Sequence, residues 1–333
     1  METSQFVLAS RPLGLPSADN FRLEKVPLKE PEDNELLLKS WYISVDPYMR
    51  GRMNSAKSYA SAWEVDQPIK GSIVARVIKS KSKSILAGDV VRGTLPWATF
   101  CVEKTKNLNK VDIKNIPPGH YLGILGMPGY TAYFGMMDIC KPKRGETAVI
   151  SGAAGAVGIV AGQIAKIQGL RVIGIAGSDE KCRLIKEEFG YDEAINYKAS
   201  KSIRKDLKIL CPEGVDVYFD NVGGEITEAV AANLDFHARI ALCGQISQYN
   251  NSKPYIGYSI LPHLLTRSVM LQGFIVRNYV DRFNEAHSYL LKYYNEGKIK
   301  YTETIIEGFD KLPEAFLGLF SGRNQGKMLV KTE

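Results

Sequence analysis

The sequence predicts an α/β protein with two parts, a β-rich unit and a doubly wound parallel sheet. Three observations predict it. Before about residue 125 only short β-type runs occur. From residue 147, apolar runs alternate with helical patterns. Where the alternation begins, an apolar run passes through glycines straight into a helix pattern. At roughly 150 residues per domain, a chain of 333 residues has about two domains and can bury its cores without disulfides or metal.

In the first part, the runs 35–44, 71–80, 89–93 and 98–103 are rich in Val and Ile and are bounded by Gly, Pro, Asn or Asp, as strands are. The polar KSKSKS stretch, 79–84, reads as a solvated hairpin end. In the second part, 147–151 is a short apolar run of the kind buried on both faces of a parallel sheet. A helix pattern follows over 156–168, a strand over 171–176, and a helix over 179–189 with Ser178 as its N-cap. Then come a strand at 193–196, a helix near 200–210, a strand at 216–221, a helix near 225–234, strands at 238–243 and 268–276, and a helix at 282–296. Alternation of this kind means a parallel sheet with helices on both faces. The tail adds a strand (301–306), a helix (311–320) and a strand (327–331), and its pattern alone does not say which part it joins.

The turn Gly152-Ala-Ala-Gly155-Ala156-Val157-Gly158 follows the strand at 147–151 and opens the next helix. Against the G-x-G-x-x-G fingerprint, Ala153 replaces the first glycine. Gly155 lets the backbone approach a pyrophosphate, and Gly158 lets the helix pack close to the sheet. The helix N-terminus then aims its N–H groups at phosphate. The strand–turn–helix setting makes this a dinucleotide-site prediction rather than a bare motif. The next strand ends Ile175-Ala176-Gly177-Ser178 with no acid to take a ribose 2′-hydroxyl, while Lys181 and Ser178 offer a cation and a donor. These favour NADP(H) over NAD(H), although Asp179 and Glu180 lie nearby.

Charge and composition narrow the remaining classes. The formal charge is +7, and residues 76–114 alone hold nine Lys or Arg against three Asp or Glu. The excess is thus a local surface feature rather than a nucleic-acid footprint. No run approaches the roughly 18 apolar residues of a membrane span, and no basic-then-apolar leader opens the sequence. The five cysteines are widely spaced, as expected of reduced thiols in a cytoplasmic protein. The four histidines form no HxxxH pair and none lies beside a cysteine. A catalytic zinc needs three protein ligands, so no metal is expected. Among 17 tyrosines, two stand out by position: Tyr48, just after a strand of the first part, and Tyr249, just after the strand at 238–243. Ligands in open parallel sheets bind beyond the carboxyl ends of strands, which suits Tyr249. By itself, each tyrosine suits packing better than catalysis.

Residues in order along most of the chain carry a family likeness: VDPYMRGRM (45–53), GMPGYTAYFGMMDICKPKRGETAVISGAAGAVG (126–158), AGSDEK (176–181), INYK (195–198), YFDNVGG (218–224), GQISQYN (244–250) and the stretch from EGKIKY to KMLVK (296–331). The sequence resembles zinc-independent medium-chain dehydrogenases/reductases. Within them it is similar to the leukotriene hydroxydehydrogenase/prostaglandin reductase and alkenal/curcumin double-bond reductase group. The resemblance implies a GroES-like catalytic domain (1–122 and 299–333) around a Rossmann NADP-binding domain (123–298). It implies NADPH held by Gly155, Ala156, Val157 and Gly158 at the pyrophosphate, by Ser178, Lys181 and Tyr197 at the 2′-phosphate, and by Asn221. Cys243, Gly244, Ile246, Ser247 and Tyr249 would flank the nicotinamide with Phe274, Ile275 and Val276, and Asn324 would touch the cofactor. Tyr249 matches the tyrosine proposed to assist enolate formation, and Tyr48 one that lines the substrate site. Ser72 stands where plant members often carry tyrosine. The implied activity is hydride transfer to the β-carbon of an α,β-unsaturated ketone or aldehyde by a homodimer. Alternatives are a quinone reductase of the same fold, reversible hydroxyl oxidation on NADP, and a non-enzymatic NADPH-binding protein.

Overall fold

The computed structural model describes residues 1–56 and 58–332. The chain forms two compact units. One is Met1–Leu122 with Glu303–Asn324 and Met328–Glu333, and the other is Gly123–Thr302 with Gln325–Lys327.

The first unit contains β1 (Glu2–Leu8), β2 (Phe21–Pro27), β3 (Glu35–Ser44), the single turn α1 (Met49–Arg52), β4 (Lys70–Ser80), β5 (Val90–Pro96), β6 (Phe100–Lys104) and β7 (Leu108–Lys110). The β4–β5 hairpin does end in the solvated 79–84 stretch, where Lys79, Lys81 and Lys83 are exposed. The pair β1–β2 was not foreseen. The second of these strands reads FRLEKVP and buries only Phe21, so it carries little apolar signal.

In the second unit lie α2 (Met127–Phe134), β8 (Thr147–Ser151), α3 (Ala156–Ile167), β9 (Arg171–Ala176), α4 (Asp179–Glu187), β10 (Glu193–Asn196), α5 (Ile203–Leu210), β11 (Val215–Asp220), α6 (Gly224–Ala231), β12 (Leu234–Leu242), α7 (Leu261–Thr266), β13 (Met270–Gly273) and α8 (Phe283–Asn295). The strand expected at 268–276 is shorter than that. Phe274 turns its ring inward against Phe219 and Tyr279, and a tight helical turn starts at Val276.

The tail supplies β14 (Glu303–Glu307), α9 (Leu312–Ser321) and β15 (Lys327–Lys331). Its strands join the first unit's sheet, whose order is β14-β15-β3-β4-β5-β7 with β6 on β3. The reason is apolar burial. Leu312, Ala315, Phe316 and Leu319 recur at helical spacing and pack with Met328 and Val330 into the core around Trp97. That indole is fully buried among Phe21, Trp63 and Phe316.

The second unit's sheet runs β10-β9-β8-β11-β12-β13, and its pairings are parallel. Counted from its own first strand this is the order 3-2-1-4-5-6 of the doubly wound dinucleotide fold. Strand order reverses between β8 and β11, so the crevice beyond their carboxyl ends is the place where such sheets take ligands. Residues 299–302 and 325–327 pack with this unit. Gly326 N–H donates to the Ala154 carbonyl at 2.8 Å, and the Gln163 side chain bonds both the N–H and the carbonyl of Lys300.

Candidate functional site

The glycine turn lies at the reversal point. Its sharp bend is made by Gly152, at φ +59°, so the missing first glycine of the fingerprint is compensated one residue earlier. Gly155 is the N-cap of α3, which has no side-chain cap, so the first N–H groups of the helix keep open donors for an anion. Gly158 has no room for a side chain. A Cβ there would lie 2.3 Å from the Gly152 carbonyl oxygen and 2.7 Å from the Ala153 Cα. Tyr191, which sequence reading did not single out, locks this packing. Its buried hydroxyl donates to the Gly158 carbonyl at 2.7 Å, and its ring fills the space over Gly162, where a Cβ would come within 2.1 Å.

The ends of β9 and β10 bring Ser178, Lys181 and Tyr197 together. Ser178 caps α4 by accepting the Lys181 N–H at 3.2 Å. The Tyr197 ring covers Gly177, leaving 3.1 Å to a Cβ placed there. Burial pushes the Lys181 ammonium below its ordinary pKa, and the charge of Lys198 adds to the effect. Lys198 is thus a second cation at this spot that sequence reading missed. The two acids nearby are already engaged. Asp179 accepts the Asn196 amide at 2.7 Å, and Glu180 accepts the Gln325 amide at 2.7 Å. The carboxylates that weakened the NADP prediction are therefore occupied by neutral donors.

Beyond β11 and β12 the turn 221–224 and the loop 243–249 are tied together. Asn221 donates from its amide to the Ser151 carbonyl (2.7 Å) and from its N–H to the Ser151 hydroxyl (2.9 Å), which fastens β11 to β8. Gly223 and Gly224 take φ +77° and +62°, values open to glycine at little cost. The Ser247 hydroxyl and N–H both reach the Val222 carbonyl, at 2.6 and 3.1 Å. Ile246 opens a single helical turn that ends at Tyr249. The half-buried Tyr249 hydroxyl accepts the Gln245 N–H at 3.3 Å and closes over Gly244, where a Cβ would stand 3.2 Å from it. Burial raises the phenol above its ordinary pKa, the Gln245 N–H opposes the rise, and the neighbouring Cys243 and Asp220 add to it. Cys243, at the root of the loop, has a thiol pushed by burial to about 12. Phe274 is a core residue, while Ile275 and Val276 are half-buried beside it.

In the first unit Tyr48 precedes α1 and packs on the core. Next to it, the buried Arg50 guanidinium donates to Asn54 Oδ1 (2.6 Å) and to the Gly14 carbonyl (2.8 Å), and the Ser44 hydroxyl donates to Asp46. Asn324 directly precedes the 325–327 segment that lies along the glycine turn.

Among the described residues no three His, Cys, Asp or Glu side chains are gathered to hold a metal ion. Among them also, no helix is long and apolar enough to cross a membrane.

Two family models match the chain: an N-terminal domain of oxidoreductase over residues 4–111 and a zinc-binding dehydrogenase over 156–292. Among the described residues no three-ligand set of the kind a catalytic zinc needs is gathered, so the metal in the second description finds no fitting site there. The protein YfmJ of Bacillus subtilis is 50% identical over 98% of this chain and 97% of its own. The 2-alkenal reductase (NADP(+)-dependent) of Nicotiana tabacum is 40% identical over 99% and 97%. The crystal structure of CurA in complex with NADPH from Vibrio vulnificus superposes with a TM-score of 0.95, at 41% identity and 99% coverage of both chains. By sequence, sheet order and glycine turn together, the chain belongs to the medium-chain dehydrogenase/reductase family, in the group that holds the alkenal, curcumin and prostaglandin reductases.

Proposed function

We propose that this protein is an NADPH-dependent reductase of the carbon–carbon double bond of α,β-unsaturated ketones or aldehydes. The observation that carries the reading is Tyr249, a half-buried phenol fixed by its own loop beyond the carboxyl end of β12, on the same edge of the sheet as the glycine turn. NADPH, when bound, supplies the hydride for the substrate β-carbon. The N–H groups of Ala156, Val157 and Gly158 that open α3 hold the pyrophosphate, and Gly155, whose own N–H donates to the Gly152 carbonyl at 2.9 Å, lets the backbone approach it. Ser178, Lys181 and Tyr197 hold the 2′-phosphate with Lys198, and Asn221, Ile275 and Val276 complete the cofactor site. Negative charge builds on the substrate carbonyl oxygen as the β-carbon is reduced. The Tyr249 oxygen already accepts the Gln245 N–H, so its own proton is available to that oxygen. Burial keeps the phenol neutral at pH 7 and therefore a donor. A preorganised donor of this kind contributes about 2.7–4 kcal/mol to a transition state. The family likeness assigns Tyr48 to substrate contact.

Tyr249→Phe is expected to lower turnover at least tenfold with NADPH affinity changed less than twofold. Unchanged turnover removes Tyr249 from the mechanism. NADPH oxidation with short alkenals, aryl enones and quinones tests the substrate class, and turnover confined to quinones overturns the enone reading.

The protein acts as a homodimer in this reading. Strand β13 ends the parallel sheet with its four residues exposed, Leu271 among them, and Leu261 and Leu265 are exposed in the preceding α7. An unpaired apolar edge of this kind pairs readily with another chain, and a second copy offers the same edge by two-fold symmetry.

A further inference from the structure

Asp220, the last residue of β11, is fully buried. Four donors converge on its Oδ1: the hydroxyls of Ser151 (3.0 Å) and Tyr218 (2.9 Å) and the N–H groups of Val222 (3.0 Å) and Gly223 (3.0 Å). The Thr227 hydroxyl donates to Oδ2 at 2.6 Å. Every one of these partners is neutral, and among the described residues no lysine or arginine pairs with the carboxylate. Five donors satisfy its lone pairs, so the group is well solvated by fixed dipoles while its charge stays uncompensated. A buried charge usually has a counter-ion. Holding the turn 221–224 explains the hydrogen bonds, and an asparagine would accept most of them equally well. The charge itself is left without a structural purpose.

The charge sits under the loop assigned above to the nicotinamide end. Cys243 and Gly244 donate their N–H groups to the Asp220 main-chain carbonyl at 2.9 and 3.0 Å. Its field reaches the Cys243 thiol and the Tyr249 phenol, where it adds to the dominant effect of burial.

We propose that Asp220 is an electrostatic element of the redox step, its uncompensated charge favouring the oxidised, cationic nicotinamide over the reduced, neutral ring. The inference rests on the NADPH reading above. In the step concerned, the substrate β-carbon gains one hydrogen with both bonding electrons. The carbonyl oxygen carries the resulting negative charge until the α-carbon takes a proton from solvent, and the ring that gave the hydride is left with one positive charge. A fixed anion on the ring's side lowers the energy of that charge as it develops, and in a poorly polarisable interior it acts more strongly than in water.

The test is Asp220→Asn, read by equilibrium binding of NADP+ and NADPH in calorimetry or fluorescence quenching. Asparagine keeps an oxygen for the four donors at Oδ1, and its amide can donate to Thr227, whose hydroxyl also accepts. NADP+ is expected to weaken at least fivefold while NADPH changes less than twofold. Equal weakening of both forms means that the carboxylate only holds the turn, and it overturns the proposal, as does an unchanged ratio. Should the variant fail to fold, wild-type protein decides the matter. With Asp220 in place NADP+ is held at least as tightly as NADPH, and an NADP+ bound more than tenfold more weakly refutes the role. Wild-type protein that binds neither form refutes the NADPH reading itself, which is a separate outcome.

Discussion

Gly158 and Gly155 stand three residues apart in one turn, and the structure assigns them different failures. A Cβ on Gly158 would meet the Gly152 oxygen at 2.3 Å, the Ala153 Cα at 2.7 Å and the Ala153 oxygen at 2.8 Å. All three atoms are backbone, so no side chain can swing aside. Ordinary contact begins near 3.4 Å, which puts the first clash about 1 Å too close. Overpacking of this kind costs about 1–3 kcal/mol. With the middle of that range, about 2 kcal/mol, and a return of up to about 1 kcal/mol from the better helix propensity of alanine, the net loss is about 1–2 kcal/mol. In a unit of this size that is about 2–8 °C in Tm. A Cβ on Gly155 meets only the Gly152 oxygen, at 3.2 Å, at an ordinary φ of −87°. Gly155→Ala is therefore expected to melt within about 2 °C of wild type, on the same scale. On the proposed site, its methyl group would still stand where the pyrophosphate approaches. The assays are thermal unfolding and NADPH titration on both variants. Gly158→Ala should lose both stability and at least tenfold in affinity, whereas Gly155→Ala should lose affinity alone. If Gly158→Ala melts and binds like wild type, close packing does not set the turn. If Gly155→Ala keeps full affinity, the turn is not the phosphate site.

Lys181→Ala is expected to weaken NADPH about ten- to hundredfold, the value of a charge-assisted contact, with NADH unaffected. The exposed Lys198 matters less, and its alanine variant loses under about fivefold. Burial depresses the Lys181 pKa, and a bound phosphate favours its charged form. Wild-type NADPH affinity should therefore fall as pH rises through a value below the ordinary lysine range, near 10.4, and the fall should vanish in Lys181→Ala; titration across pH 7–10 reads it. If the proposed homodimer forms through β13, Leu271→Lys, which places a charge on that exposed edge, is expected to give a monomer by light scattering where wild type gives a dimer; a monomeric wild type overturns the dimer proposal, and an unchanged dimer in the variant moves the interface elsewhere.

The parallel-sheet unit was legible because its strands are covered on both faces and so read as apolar runs, of which 147–151, 171–176 and 193–196 coincide with β8, β9 and β10. What escaped follows from the same physics. Helix α2 opens at Met127-Pro128 and buries most of its residues, so it shows no polar face and no period to detect. Tyr191 matters only through Gly158 and Gly162, residues far from it in sequence, and no local pattern marks such a pairing. Lys198 was hidden for the opposite reason, since an exposed lysine after a strand looks like any solvated one. The glycine turn was legible in position but not in detail. That Gly152 carries the bend depends on a dihedral angle, and the string of small residues around it does not display that.

Strand β15 pairs with β3, so Leu329 lies opposite Ser44 from nearly the other end of the chain. During synthesis the doubly wound unit has almost all its strands before the first unit has its last. Contacts so distant in sequence form late and slowly. Until they form, the residues around Trp97 lack Phe316 and Val330 and present open apolar surface. The growing chain is therefore most exposed to misassembly at its earliest-made part. The closing of that sheet by its final strand sets when the molecule becomes complete.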